Sequence, residues 1–297
     1  MKAALAVLVA CAVTLLFACD GGGGQQASAA PTGAAFVPPT EIVMPEISPN
    51  AAPIDTSHVN EGYVVVRASS ASRLKFQAAK DEAVYNYDLP NDDTPTVFPV
   101  NMGDGNYLFR IMKNTDGNNY IEADRAEADV KLESEYAPFL IPNQYCNYNE
   151  GSNCVAKARE LTDGADNQGE AIKRVCEFVV NNVSYDKDKA VELSTATGYV
   201  PNPDKTMSTG KGVCFDYASL GAAMLRSLGI PTKIITGYVS PGDLYHAWIM
   251  VYVDGTWQTG EFSVNPETWS RVDLTFAASG STEFTGDGAS YTDRYVY

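Results

Sequence analysis

The chain has 297 residues, 45% of them apolar, with 37 acidic and 21 basic side chains and a formal charge of −16. That length suffices for one large or two modest domains with real cores, and two is the preferred reading. So acidic a chain repels nucleic-acid phosphates and anionic lipid headgroups, so no nucleic-acid partner is expected.

Residues 1–18 have the form of an export signal. Lys2 is their one charge, and the apolar run after it is too short and too weakly flanked to span a bilayer. Leu16-Phe17-Ala18-Cys19 resembles a bacterial lipobox, with Phe17 an unusual second residue, and makes Cys19 the expected lipidation site. A second match ending at Cys11 would leave only a stub of leader. The expected location is the cell envelope, outside the cytoplasm, with the lipid anchor as the one membrane contact; the alternatives are an ordinary secreted protein or a leader that is never cleaved. Residues 19–56, rich in Gly, Ala, Pro and Ser without a period, read as a disordered tether.

Over residues 57–135 the signals are those of strands: Tyr63 to Val66, Leu74 to Phe76, Val84 to Leu89, Tyr107 to Met112, Tyr120 to Ala123 and Val130 to Leu132. Turn chemistry such as Pro90-Asn91-Asp92-Asp93 and Thr115-Asp116-Gly117-Asn118 separates them. The expectation is a small antiparallel β domain that serves as a packing platform.

Residues 136–184 read as a connector followed by helices at Val155 to Leu161 and Glu170 to Val183, the second amphipathic. Cys146 and Cys154 could close a small disulfide in an oxidising compartment; two free thiols is the alternative, and spacing does not decide between them. Cys176 falls on the apolar stripe Ile172, Val175, Val179 and reads as core. The acidic loops at 114–125 and 163–174 lack the central glycine and closing glutamate of a calcium loop. With two histidines and no CxxC, neither a metal nor another cofactor is expected.

Residues 185–297 hold the chemistry. Residues 186–209 are mixed, with loop marked by Tyr199-Val200-Pro201 and Pro203. In GKGVCFDYASLGAAMLRSLGIP, Gly210 and Gly212 turn the chain, and helical spacing from Phe215 runs to Gly229 and Pro231. Cys214 thus stands at a helix N-terminus, where unpaired N–H groups and the macrodipole favour a thiolate. Such a cysteine is a candidate nucleophile; the plainer reading is a small buried hydrophobe. Strands follow at Thr232 to Val239, Leu244 to Val253, Trp257 to Val264 and Trp269 to Phe276, and Tyr291 to Tyr297 is placed at the sheet edge. A helix followed by consecutive antiparallel strands is an α+β order.

A thiolate needs a base that returns its proton to a leaving group, and that base needs an orienting partner. His246 is the one histidine in this part of the chain, on a strand face shared with Trp248, Met250 and Tyr252. Asp273 on a later strand can reach across the sheet to it, and Glu261 on the strand paired with that of His246 is the rival orienter. Tyr245 and Trp248 are placed as lining for an acyl groove, although strand aromatics are more often core.

GVCFDYASLGAAMLRSLGIP, TGYV, YHAWIMVYVDGTW and WSRVDLTFAAS together resemble the transglutaminase-like superfamily of cysteine acyltransferases and peptidases, over about Tyr185 to Phe276. The resemblance implies an α+β, papain-like core whose nucleophile helix packs on an antiparallel sheet, with Cys214 as nucleophile, His246 as base and Asp273 as orienter. Asp273-Leu274-Thr275 departs from the Asp-Pro-Thr frequent in that superfamily. The function implied is cleavage or transfer of acyl groups at amide bonds of proteins or cell-wall peptides through a cysteine thioester. The alternative is a catalytically silent binding or scaffold lipoprotein on the same fold.

Overall fold

The computed structural model describes residues 35–240, 244–253, 256–259, 273–279 and 291–297. Residues 35–53 form an extended strap rather than the outer half of a tether. The Phe36 N–H donates to the Ala165 carbonyl at 3.0 Å, and Glu46 N–H to the Tyr63 hydroxyl at 2.9 Å. Ile42 is buried in the main core, and Phe36 packs against it. Two apolar anchors therefore order a stretch whose average composition suggests none; residues 19–34 lie outside the described residues.

Seven strands come first: β1 (Ile54–Asp55), β2 (Tyr63–Val66), β3 (Leu74–Lys80), β4 (Ala83–Leu89), β5 (Thr96–Pro99), β6 (Gly105–Asp116) and β7 (Asn119–Val130). They form two antiparallel sheets, ordered β1-β2-β5 and β4-β3-β6-β7. Period-two burial along β3 and β6 turns Leu74, Phe76, Tyr107, Phe109 and Ile111 inward. Phe98 of β5 sits 4.5 Å from the Phe76 ring centroid and 4.9 Å from that of Tyr87, so the two sheets share one core. In place of the expected separate strands at Tyr120 to Ala123 and Val130 to Leu132 there is one continuous strand, β7, which ends at Val130. Its Glu122, Asp124 and Glu127 are exposed on the sheet edge, and so little alternation of apolar residues marks it in sequence.

Then come α1 (Asn153–Thr162), α2 (Gln168–Asn182), β8 (Ser184–Tyr185), α3 (Lys187–Leu193), α4 (Pro203–Thr209), β9 (Lys211–Gly212) and α5 (Cys214–Ser227). The strands β10 (Thr232–Val239), β11 (Leu244–Val253) and β12 (Thr256–Thr259), the helix α6 (Leu274–Ser279) and β13 (Tyr291–Val296) complete the order. An antiparallel sheet runs β12-β11-β10-β13, so β13 closes an edge. The fold is α+β. α5 lies against β10 and β11, and every residue from Asp216 to Ser227 is buried. Gly221 permits the close approach: a Cβ there would meet the Leu274 Cδ1 at 2.9 Å. The core that begins in the β-rich part continues into these helices, carried across by Tyr87, Tyr145 and Tyr297, with Tyr145 5.1 Å from the Phe215 ring.

Three local expectations are corrected. The stretch 186–209 contains two short capped helices: Asp186 accepts from the Lys189 N–H at 3.0 Å and Asn202 from the Lys205 N–H at 2.9 Å. The strand expected over Trp269 to Phe276 is a helix from Leu274 onward, while 269–272 lie outside the described residues. Cys146 and Cys154 are free, buried thiols, not a disulfide. The intervening loop is tied by Asn143 instead, whose side chain accepts from the Tyr145 N–H at 2.9 Å and the Cys146 N–H at 3.1 Å. The Cys154 N–H donates to the Asp204 Oδ1 at 2.8 Å, and burial together with that carboxylate pushes the thiol pKa well up. Cys176 is core, as its stripe suggests.

Candidate functional site

The site begins at the turn into α5. Gly210 ends α4 in the left-handed region at φ +60°, which its lack of a Cβ permits. Its carbonyl accepts from the Ser184 N–H at 2.9 Å, and the Gly212 carbonyl from the Asp186 N–H at 2.9 Å. These bonds pair β8 with β9 and set Tyr185 opposite Gly212. Val213 is extended, and Cys214 is the first helical residue, where the N–H has no carbonyl a turn earlier within the helix to receive it. Val213 has no capping group of its own; Asp216 reaches back and accepts from the Val213 N–H at 2.8 Å.

Gly212 is part of this construction, because a Cβ there would sit 2.6 Å from the Asp216 Cβ. Gly212→Ala is expected to destabilise the fold by about 1–3 kcal/mol through overpacking, read as a lowered urea midpoint with an unchanged slope.

β11 supplies His246, which lies opposite Gly237 of β10 in the register. The imidazole is 4% exposed and stacks on Phe276 of α6 with centroids 4.5 Å apart. Its Nε2 is held by the Asp273 Oδ2. The other Asp273 oxygen, Oδ1, accepts from the Thr275 N–H at 2.9 Å and the Phe276 N–H at 3.1 Å, and so caps α6. This cap explains why a helix replaces the expected strand, and it fixes the carboxylate that orients the imidazole. The Cys214 thiol lies near enough to the same ring to act on its charge. Burial alone would lower the imidazole pKa. The hydrogen bonds and charges of Asp273 and Cys214 outweigh it and push the value up to about 10.

The structure thus brings Cys214, His246 and Asp273 into one contiguous set. Tyr245 is exposed beside His246, edge-on to Tyr238 at 5.4 Å, with its hydroxyl 2.9 Å from the Thr236 Oγ1. Trp248 is 5% exposed and packs with Ile235, Val239 and Tyr291, so it backs the site rather than opening onto it. Glu261 and Cys19 lie outside the described residues.

Two features escape sequence reasoning. Tyr185, partly exposed on β8, lies close enough to Cys214 that burial, and then the thiol's charge, raise its phenol pKa. Asp216, fully buried, receives the Lys189 ammonium at 2.6 Å and the Tyr199 hydroxyl. An acidic residue two places after the nucleophile was visible in the sequence; its partners lie on a short polar helix and a loop with no periodic signal.

A helix-borne thiol, an imidazole on the neighbouring sheet and a carboxylate on that imidazole are the groups that nucleophilic cysteine chemistry requires. Residues 155–273 match the Transglutaminase-like superfamily, and this part of the chain has the transglutaminase-like fold. The chain is similar to a UPF0252 protein of Methanocaldococcus jannaschii, 32% identical over 139 residues that cover 43% of this chain and 38% of that one. It is also similar to an uncharacterized protein of Mycobacterium leprae, 33% identical over 121 residues, covering 33% of this chain and 43% of that one. The chain thus spans about two fifths of the length of these relatives. Among solved structures, it is similar to a candidate cysteine protease of Cytophaga hutchinsonii, at 16% identity and TM-score 0.36 over 80% of this chain and 86% of that one. It is similar also to the red sea bream transglutaminase, at 12% identity and TM-score 0.33 over 77% and 50%.

Proposed function

We propose that the protein is a lipid-anchored thiol enzyme of the cell envelope that cleaves or transfers acyl groups at amide bonds of proteins or wall peptides. The observation that carries this reading is the nearness of Cys214, at the first position of α5, to an imidazole whose Nε2 is held by Asp273. The Cys214 thiolate adds to the amide carbonyl carbon, forming a C–S bond. The oxyanion faces the Cys214 N–H and the positive end of α5. His246 passes a proton to the nitrogen as the C–N bond breaks, and the amine leaves a thioester behind. Water or a second amine then attacks the thioester, and its proton passes through His246 as the thiolate departs. The lipobox at Cys19 supports the envelope location.

The test is iodoacetamide alkylation of the full chain in detergent, with Cys214 followed by peptide mass spectrometry beside a His246→Ala variant. Rapid alkylation that persists well below pH 7 and is lost in the variant supports the thiolate–imidazolium pair. Slow alkylation that rises only near the free-thiol value of about 8.5 and ignores the variant overturns it, leaving a binding or scaffold lipoprotein. The buried Cys146 is a poor competitor, since desolvation raises its pKa to about 11.

A further inference from the structure

Asp216 is the fully buried carboxylate nearest in sequence to Cys214, and its charge has the wrong sign for a thiolate. In a low-dielectric setting an anion at this place opposes the favourable field of the helix N-terminus. A neutral cap would have satisfied the Val213 N–H without that penalty, so the charge needs an explanation. The structure surrounds it with donors. Oδ2 accepts from the Val213 N–H at 2.8 Å and from the Lys189 Nζ at 2.6 Å, while Oδ1 accepts from the Tyr199 hydroxyl. The ammonium also sits 4.5 Å from the Tyr199 ring centroid. Burial, followed by the Asp216 carboxylate, raises the phenol pKa, so Tyr199 stays a neutral donor and Lys189 is the cation that balances Asp216.

Lys189 is itself built into the nucleophile's turn. Its backbone N–H donates to the Asp186 side chain at 3.0 Å, and the Asp186 N–H donates to the Gly212 carbonyl at 2.9 Å. From Gly212 the circuit runs through Asp186, Lys189 and Asp216 to Val213, the two residues immediately before Cys214. α3 has no buried residue and contributes little to the core, yet it places this ammonium on the carboxylate that holds the Val213 N–H.

We propose that Lys189, aided by Tyr199, is a positioning residue that neutralises Asp216 and so lets the N-terminus of α5 present Cys214 as an anion. The proposal rests on the reading of Cys214 as nucleophile. The charged and titratable groups set against Cys214 are His246 from β11, with Asp273 behind it, and Tyr185 from β8; Asp216, two residues along α5, bonds the Val213 N–H and Lys189.

The experiment is a double-mutant cycle on the full chain, again reading iodoacetamide alkylation of Cys214, at about pH 6.5. Lys189→Met is expected to slow alkylation about tenfold. Lys189→Arg keeps a cation and is expected to stay within about threefold of wild type. Asp216→Asn keeps the acceptor for Val213, removes the anion and is expected to speed alkylation. Lys189→Met with Asp216→Asn returns the rate toward wild type. A purely structural role predicts the opposite: both single variants slow and the double variant slower still. That pattern, or an unchanged rate in Lys189→Met, overturns the proposal while leaving the nucleophile reading intact. A wild-type rate that is slow and indifferent to His246 overturns both. Should Lys189→Met fail to fold, the sign of the Asp216→Asn effect decides: faster supports the proposal, slower or unchanged overturns it.

Discussion

Asp273→Asn is expected to return the His246 imidazole from about 10 to its ordinary range or below, and to slow thiol chemistry at neutral pH by about 10³-fold. Burial is the largest influence on His246 and works against its protonation; Asp273 is the next largest and works for it. With the anion removed, desolvation is opposed only by Cys214, so the imidazolium that would stabilise a thiolate is lost. Asparagine isolates this effect, because its carbonyl oxygen can still accept from the Thr275 and Phe276 N–H groups and hold the start of α6. Asp273→Ala would lose the cap as well, at a further cost of about 1 kcal/mol.

The same pair imposes a pH dependence on stability, with a definite sign. The folded-state value of about 10 lies above the unfolded 6.5, so the folded protein binds a proton that the unfolded chain has already released in between. The stabilisation is fully present below about pH 6.5 and is lost as the pH rises through about 10. The melting temperature of wild type is therefore expected to exceed that of Asp273→Asn most at about pH 6, and the gap to close toward pH 10. NMR titration of the His246 ring in both proteins checks the first statement, and thermal unfolding across this range checks the second. An imidazole that titrates near 6.5 in both proteins would remove Asp273 as the orienting partner.

What the sequence could show follows from the kind of signal each part carries. Tyr63–Val66, Thr232–Val239 and Leu244–Val253 were readable to the residue because β-branched and aromatic runs ended at turn chemistry. The start of α5 was readable from Gly210, Gly212 and Cys214, and with it the three residues that the fold brings together. α6 was misread because Leu274-Thr275-Phe276 alternates like a strand, whereas the Asp273 side chain starts a helix there; cap chemistry outweighed pattern. α3 buries none of its residues and so leaves no apolar stripe to read. The Lys189–Asp216–Tyr199 cluster joins three segments across 27 residues of sequence and needed the fold to appear. The strap at residues 35–53 was hidden for a different reason: two apolar anchors among many prolines vanish in an averaged composition.

Arg226→Met is expected to destabilise the protein by about 3–5 kcal/mol. The residue stands in a helix that is buried from Asp216 to Ser227 and is itself 1% exposed. Its guanidinium donates from Nε to the Thr232 carbonyl at 2.8 Å, from Nη1 to the Ile141 carbonyl at 2.9 Å and from Nη2 to the Tyr297 carbonyl at 2.9 Å. One planar fork thus ties α5 to the start of β10, to the connector before α1 and to the residue after β13. Methionine fills much of the space but offers no donor, and each buried carbonyl left unpaired costs about 1–3 kcal/mol, with overlap among neighbours. Lysine would fare little better, since a single ammonium on a flexible stem cannot reach three divergent acceptors. Guanidinium unfolding monitored by tryptophan fluorescence and by circular dichroism gives the measurement. A loss below about 1 kcal/mol would mean that water replaces the fork at all three carbonyls, and that the edge strand β13 is held by its pairing with β10 alone.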